Sequence, residues 1–306
     1  MLAETTFTRQ VARVLRPHQA RVRIGGVSLA LTGLSSNTLR LSPEIATFRD
    51  IDATPDIEVQ VESTKKLQPW PGKPVFDSGA LWTLFRDGGE FIFDFTSPAF
   101  GAAPYKRLRT TSDFRSAQLT LSREAMRNHY PVFPLEYPAD ELLITNYLSA
   151  GLGVEVHGCG LIDSETGGHL FLGHSGAGKS TTTRLWKSLR NPQILSDDRI
   201  ILRLHHGELW MYGTPWHGEA AFAMAGKARI NRLFIIEHGE QSQVTPLTRS
   251  RAVGELFARC FPPFHNARAL ERTVEFLERI LAAAPVYQFQ FVPNASAVNA
   301  ITGFHD

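Results

Sequence analysis

Residues Gly173-His174-Ser175-Gly176-Ala177-Gly178-Lys179-Ser180 match the phosphate-binding loop pattern G-x-x-x-x-G-K-[ST]. An apolar, strand-like stretch, Leu170 to Leu172, precedes the run, and a helix-like stretch, Ser180 to Leu189, follows it. That is the order in which such a loop works, and it predicts a bound nucleoside triphosphate. Glycines are needed because backbone amides must close on phosphate oxygens with no Cβ in the way. The helix N-terminus behind them adds partial positive charge. Gly173, Ser175, Gly176, Ala177, Gly178, Lys179, Ser180 and Thr181 are therefore the candidate phosphate-binding residues. Lys179 is expected to reach the outer phosphates and Ser180 to offer its hydroxyl to magnesium. An ordinary glycine-rich turn is the alternative.

Eighteen residues separate Lys179 from Asp197, enough for one helix and a return strand. A helix over 179–190 descends about 18 Å, and a strand over 193–197 climbs back about 16 Å. The pair Asp197-Asp198 is thus expected at the carboxyl end of a strand in the loop strand's own sheet, where open α/β sheets bind ligands. One carboxylate can hold Mg²⁺ while the other accepts a proton from an attacking hydroxyl. Adjacent strand residues point to opposite faces, so both serve one site only if the strand ends or bulges there. Otherwise the pair merely begins a turn.

Upstream, His157 closes the alternating run Val154-Glu155-Val156-His157 before Gly158, and a histidine there can bond an aspartate and tune its basicity. A core or edge histidine is the competing reading. Downstream, Gly213-Thr214-Pro215-Trp216-His217-Gly218-Glu219 reads either as a rim for a nucleotide or metal or as a structural turn.

The 306 residues, 43% hydrophobic and 20% charged, are enough for one large or two modest globular domains. No run of eighteen apolar residues occurs, and the N-terminal MLAETTFTRQVARVLR lacks the apolar core of a secretory signal, so a cytoplasmic location is expected. Two cysteines, Cys159 and Cys260, are too few for a disulfide framework or a four-ligand zinc site and read as core residues. A formal charge of +2 argues against nucleic acid or anionic membrane as the partner. The basic run Tyr105-Lys106-Arg107-Leu108-Arg109 reads as a solvated strand face.

The first part of the chain is expected to be mostly β. Apolar residues alternate at Val22/Ile24, Val27/Leu29/Leu31 and Ile57/Val59/Val61, with Gly25-Gly26 as a hairpin turn. Trp82/Leu84 and Phe91/Phe93/Phe95 flank a second turn, Asp87-Gly88-Gly89, which predicts a twisted antiparallel layer by about residue 120. The Pro-rich passage from Pro131 to Pro138 marks a linker, with the domain boundary near residue 135. A helix is expected from Pro138 to about Gly151, with Asp140 and Glu141 in its first turn. Later, Val253/Leu256/Phe257/Cys260/Phe261 and Leu270/Val274/Leu277/Leu281 fit two helical faces, and Tyr287/Phe289/Phe291 alternate as a strand.

His157-Gly158, the loop from Gly173 to Ser180 and Ser196-Asp197-Asp198 at short spacing together resemble the kinase domain of HPr kinase/phosphorylase and its relatives. That P-loop group shares its fold with ATP-dependent phosphoenolpyruvate carboxykinase. The resemblance covers about residues 138–300 and implies ATP and Mg²⁺. It also implies Asp197 as general base, His157 as its partner, and Lys179, Ser180 and Asp198 as the phosphate and magnesium group. Glu219 corresponds loosely to the family's later acidic metal ligand. The Glu-x-Arg-Gly-x-Gly type segment of true HPr kinases is absent, so HPr itself is not the expected acceptor. Tyr212 to Glu219 looks instead like HPr-kinase-related proteins found with peptide-modifying clusters, some of which phosphorylate serine hydroxyls of peptides. Carboxykinases are much longer chains.

The expected architecture is α/β: a P-loop kinase domain of the HPr kinase/phosphoenolpyruvate carboxykinase type over 136–306, preceded by a β-rich domain of unassigned role over 1–135. The expected activity is Mg-ATP-dependent transfer to a hydroxyl, with serine of a protein or peptide as acceptor. The alternatives are a small-molecule kinase and a nucleotide-binding regulatory module without transfer. A homo-oligomer is compatible with the chain.

Overall fold

The computed structural model describes residues 18–33, 39–52, 54–79, 81–127 and 133–304. The N-terminal stretch read above for a signal, and Pro131 and Val132 of the expected linker, lie outside the described residues. The architecture is mixed α/β, built on an eight-stranded and a nine-stranded sheet.

The first sheet begins with a hairpin, β1 (His18–Ile24) and β2 (Val27–Gly33), in which Ile24 faces Val27. Its two turn residues, Gly25 and Gly26, have φ of +60° and +74°, the left-handed pair that a two-residue turn of matching twist requires. A short helix α1 (Pro43–Ala46), capped by Ser42, leads to β3 (Ile57–Thr64). The strands β4 (Phe76–Asp77), β5 (Trp82–Asp87), β6 (Glu90–Ser97), β7 (Gly101–Thr110) and β8 (Ser116–Ser122) complete the order β1-β2-β3-β8-β7-β6-β5-β4. The layer is not purely antiparallel as expected. β3 runs parallel to both β2 and β8, because the passage through α1 carries the chain back to the end where β2 began.

The basic run on β7 is not a solvated face. Lys106 is 1% exposed, and its Nζ donates to Glu136 Oε1 at 2.7 Å and to the Phe133 carbonyl at 2.8 Å. Arg107 and Arg109 pair across the sheet with Asp94 and Glu90. After α2 (Arg123–Met126) comes α3 (Ala139–Leu148), which buries Leu143, Ile144, Tyr147 and Leu148 in the core of the first sheet.

The second sheet is built from β9 (Val154–Asp163), β10 (Gly167–Leu172), β11 (Gln193–Ser196), β12 (Arg199–His205), β13 (Glu208–Tyr212), β14 (Lys227–Arg229), β15 (Leu233–His238), β16 (Gln243–Pro246) and β17 (Val286–Phe291). Its order is β14-β13-β12-β9-β10-β15-β17-β16, with β11 also paired to β9. Strands β10, β15 and β17 are parallel neighbours. The helices α4 (Lys179–Leu189), α5 (Arg249–Phe257), α6 (Ala267–Ala283) and α7 (Ala295–Thr302) cover both faces. Leu170 and Leu172 point to a core shared with α5 and α6, while Phe171 points to one shared with Trp186 of α4 and with α7. This alternation is that of a central strand buried on both sides.

Two expected helical faces are corrected. α5 ends at Phe257, and Cys260 instead bridges Val156 of β9. α6 turns Ala269, Thr273, Phe276, Leu277 and Ile280 inward, leaving Val274 37% exposed. Small Ala269 and polar Thr273 both lie on the buried face, and counting large apolar residues passes over both.

Candidate functional site

The glycine-rich loop leaves β10 at Leu172 and is tied down at once, the Gly173 N–H donating to the His157 carbonyl at 3.2 Å. Gly178, at φ +100°, has no room for a side chain, since a Cβ would lie 2.4 Å from Cζ of Phe291. Gly176, at φ +81°, faces open space, so conformation rather than crowding requires glycine there. α4 then starts at Lys179 with no side-chain cap, which leaves its first-turn N–H groups at the loop mouth. Ser180 and Thr181 are partly exposed in that turn. Lys179 is 6% exposed, and its Nζ donates to the carbonyls of Gly173 and His174, both at 3.0 Å. Burial lowers its pKa, and the negative charge of Asp198 acts in the opposite direction. Exposed His174 is also held below its ordinary value, by burial and then by Arg259, with His157 and Lys179 adding to it.

The acidic pair lies at the same level. β9 runs between β10 and β11, with Leu172 of β10 opposite Gly158 and Ser196 of β11 opposite Gly160. Strand β11 slips register after Ile194 and stops at Ser196. There the Ser196 hydroxyl accepts from the N–H groups of Asp198 at 3.2 Å and Arg199 at 3.1 Å, and donates to the Trp216 carbonyl at 3.2 Å. This serine turn sends the two neighbouring carboxylates different ways.

Asp197 goes inward. It is 1% exposed, and accepts from the backbone N–H groups of Gly218 at 3.0 Å, Ala220 at 2.9 Å and Phe222 at 3.2 Å. Asp198 stays accessible, with Oδ1 at 2.8 Å from His157 Nε2 and Oδ2 accepting from Arg199 Nε at 2.9 Å. Burial opposes its charge, but the His157 hydrogen bond and the Arg199 guanidinium win and bring its pKa down to about 2. The carboxylate is ionised at neutral pH, so it is His157 Nε2 that carries the proton and donates. The partnership expected between His157 and Asp197 is therefore made by His157 and Asp198 instead. Glu219 sits between two of the residues whose amides hold Asp197, with its own side chain exposed. Among the described residues no three His, Cys, Asp or Glu side chains form a metal cage.

Arg199 was not singled out in the sequence. It faces His157 across the β9–β12 ladder, and its Nη1 lies 3.2 Å from Glu155 Oε1 and 3.4 Å from Glu141 Oε1. Its guanidinium stacks over Phe261 at 3.6 Å from the ring centroid. Burial raises the pKa values of Glu141 and Glu155, helped by the charge of Asp198 at Glu141 and by that of Glu141 at Glu155. One signal was available: Glu155 and His157, two apart on a strand, share one face of β9.

The segment from Gly213 to Glu219 straps this bend. Thr214 Oγ1 donates to the Arg199 carbonyl at 2.7 Å, and Trp216 Nε1 donates to Asp140 Oδ2 of α3 at 2.8 Å. Beside the strap, a cavity of about 560 Å³ opens onto Asp198 and Arg199 from between α1, the chain at 133–137 and the Pro215–His217 turn.

No family model matches the chain, and no curated protein matches it. Among solved structures, the HPr(Ser) kinase/phosphatase from Coxiella burnetii is similar at 13% identity, over 49% of this chain and 94% of that one, with a TM-score of 0.28. A likeness at this level carries no argument about function.

Proposed function

We propose that the chain is a Mg-ATP-dependent phosphotransferase acting on a hydroxyl, with serine of a peptide or protein as the acceptor class. One observation carries this reading: a phosphate-type loop with its lysine and an ionised, histidine-bonded carboxylate lie at the same end of one sheet, just past the ends of β10 and β11, which flank β9. Loop amides and Lys179 suit the outer phosphates of a nucleotide, and the positive φ of Gly176 and Gly178 shapes the backbone that carries those amides. The part-exposed Ser180 hydroxyl beside Lys179 suits a magnesium ion held mostly by phosphate and water. When bound, the ion would neutralise phosphate charge.

Asp198 is the carboxylate that can receive the acceptor. Its low basicity makes it first an orienting group, accepting a hydrogen bond from the acceptor hydroxyl. It becomes a proton sink once the new O–P bond makes that hydroxyl acidic. The acceptor oxygen bonds to the γ-phosphorus, the bond to the bridging oxygen breaks, ADP leaves, and the proton passes to Asp198. His157 and Arg199 hold both carboxylate oxygens and thereby fix its direction. Asp197, shielded and committed to three amides, maintains the strap.

Transfer of labelled γ-phosphate from Mg-ATP into peptide and protein fractions tests the assignment. Asp198→Asn is expected to lower transfer about 10²–10⁴-fold while nucleotide affinity is retained. Equal transfer in variant and wild type would overturn the role.

A further inference from the structure

The cavity beside Asp198 is unusually acidic for a site that must admit a substrate to a phosphate. Its wall carries four carboxylate residues, Glu44, Glu136, Asp140 and Asp198. Two cations answer them, Arg199 in the wall and Lys106 behind Glu136, and Arg199 is already shared with Glu141 and Glu155. Glu44 is exposed in the first turn of α1. Asp140, 1% exposed, has one oxygen on Trp216 and the other, Oδ1, without a hydrogen-bond partner. Beside Ser42 and His217, the remaining wall is apolar or aromatic, including Phe133, Trp216 and the 51% exposed Tyr137.

Resting on the phosphotransferase reading, we propose that this cavity is the acceptor site and that it selects a hydroxyl carried next to a cationic nitrogen. Asp198 at one end takes the hydroxyl. Glu44 and the Tyr137 ring, with Asp140 beneath, take the ammonium or guanidinium, which meets a carboxylate and an aromatic face together. An anionic acceptor would meet the carboxylates of Glu44 and Asp198, while Glu136 is paired with Lys106 and the Arg199 guanidinium is already committed to carboxylates. The same chemistry comes from two sources, a seryl peptide with a neighbouring basic residue or a free amino alcohol, and a cavity of about 560 Å³ has room for either.

The test uses the full chain with Mg-ATP labelled in the γ-phosphate. One arm offers three single-serine peptides, flanked by lysine, glutamine or glutamate; the other offers ethanolamine against ethylene glycol. Label is expected to enter the lysine-flanked peptide, or ethanolamine, with kcat/KM about tenfold above the neutral counterpart, and the responding arm names the source. Glu44→Lys is expected to shrink or reverse the ratio between lysine- and glutamate-flanked peptides, a readout that is internally controlled for any general loss of activity. Transfer that ignores acceptor charge, or a ratio that Glu44→Lys leaves unmoved, overturns this inference alone. Label in no acceptor of either arm overturns it together with the phosphotransferase reading.

Discussion

Replacing Asp197 by asparagine tests the division of labour between the two adjacent carboxylates. In the native protein Oδ1 accepts from Gly218 and Phe222, Oδ2 accepts from Ala220, and the group is 1% exposed. An asparagine can aim its carbonyl oxygen at the Gly218 and Phe222 amides, which weakens two charge-assisted bonds to neutral ones at a cost of about 1 kcal/mol each. Its NH₂ then faces the Ala220 N–H, donor against donor, so that bond is lost for about 1.5–3 kcal/mol. Relief from burying a charge offsets part of this, and the net expectation is a destabilisation of ~2–4 kcal/mol. Urea unfolding would show it as a lower midpoint with an unchanged slope. Amide exchange should quicken at residues 218, 220 and 222. A midpoint equal to wild type, with those amides still protected, would refute the anchoring role and return Asp197 to consideration as the general base.

Lys179→Ala is expected to lower productive ATP binding and transfer together, read by nucleotide titration beside turnover; unchanged values would count against the loop assignment. Gly178→Ala should destabilise by about 2–4 kcal/mol through backbone strain and the contact with Phe291, whereas Gly176→Ala, strained but unobstructed, should cost about 1 kcal/mol. Equal melting shifts would contradict that distinction. Burial, the largest influence, raises the Asp140 carboxyl from 3.8 to about 6, so the folded state binds this proton more tightly than the unfolded chain. The stability it contributes is present in full below about pH 4 and is lost as pH rises through about 6, an amount on the order of 3 kcal/mol. Asp140→Asn should flatten that part of the profile; parallel wild-type and variant curves between pH 4 and 7 would sink the claim.

The backbone of the loop was legible because it is local: Gly176 and Gly178 take positive φ, and the helix and return strand follow from chain length alone. The hairpins at Gly25-Gly26 and Gly88-Gly89 were legible for the same reason, since all four glycines adopt positive φ. Contacts from far along the chain decided the rest. β3 is parallel because of where α1 returns it, and Lys106 is buried because Glu136 and the Phe133 carbonyl, about thirty residues on, close over it. Sequence placed Asp197 and Asp198 together at a strand end, but not which of them stays accessible. Ser196 bends the chain, amides from 218 to 222 claim Asp197, and His157 and Arg199 claim Asp198. Residues fix their own backbone torsions locally, whereas the direction of a carboxylate at the end of a strand is set by whichever donors tertiary folding brings within 3 Å of it.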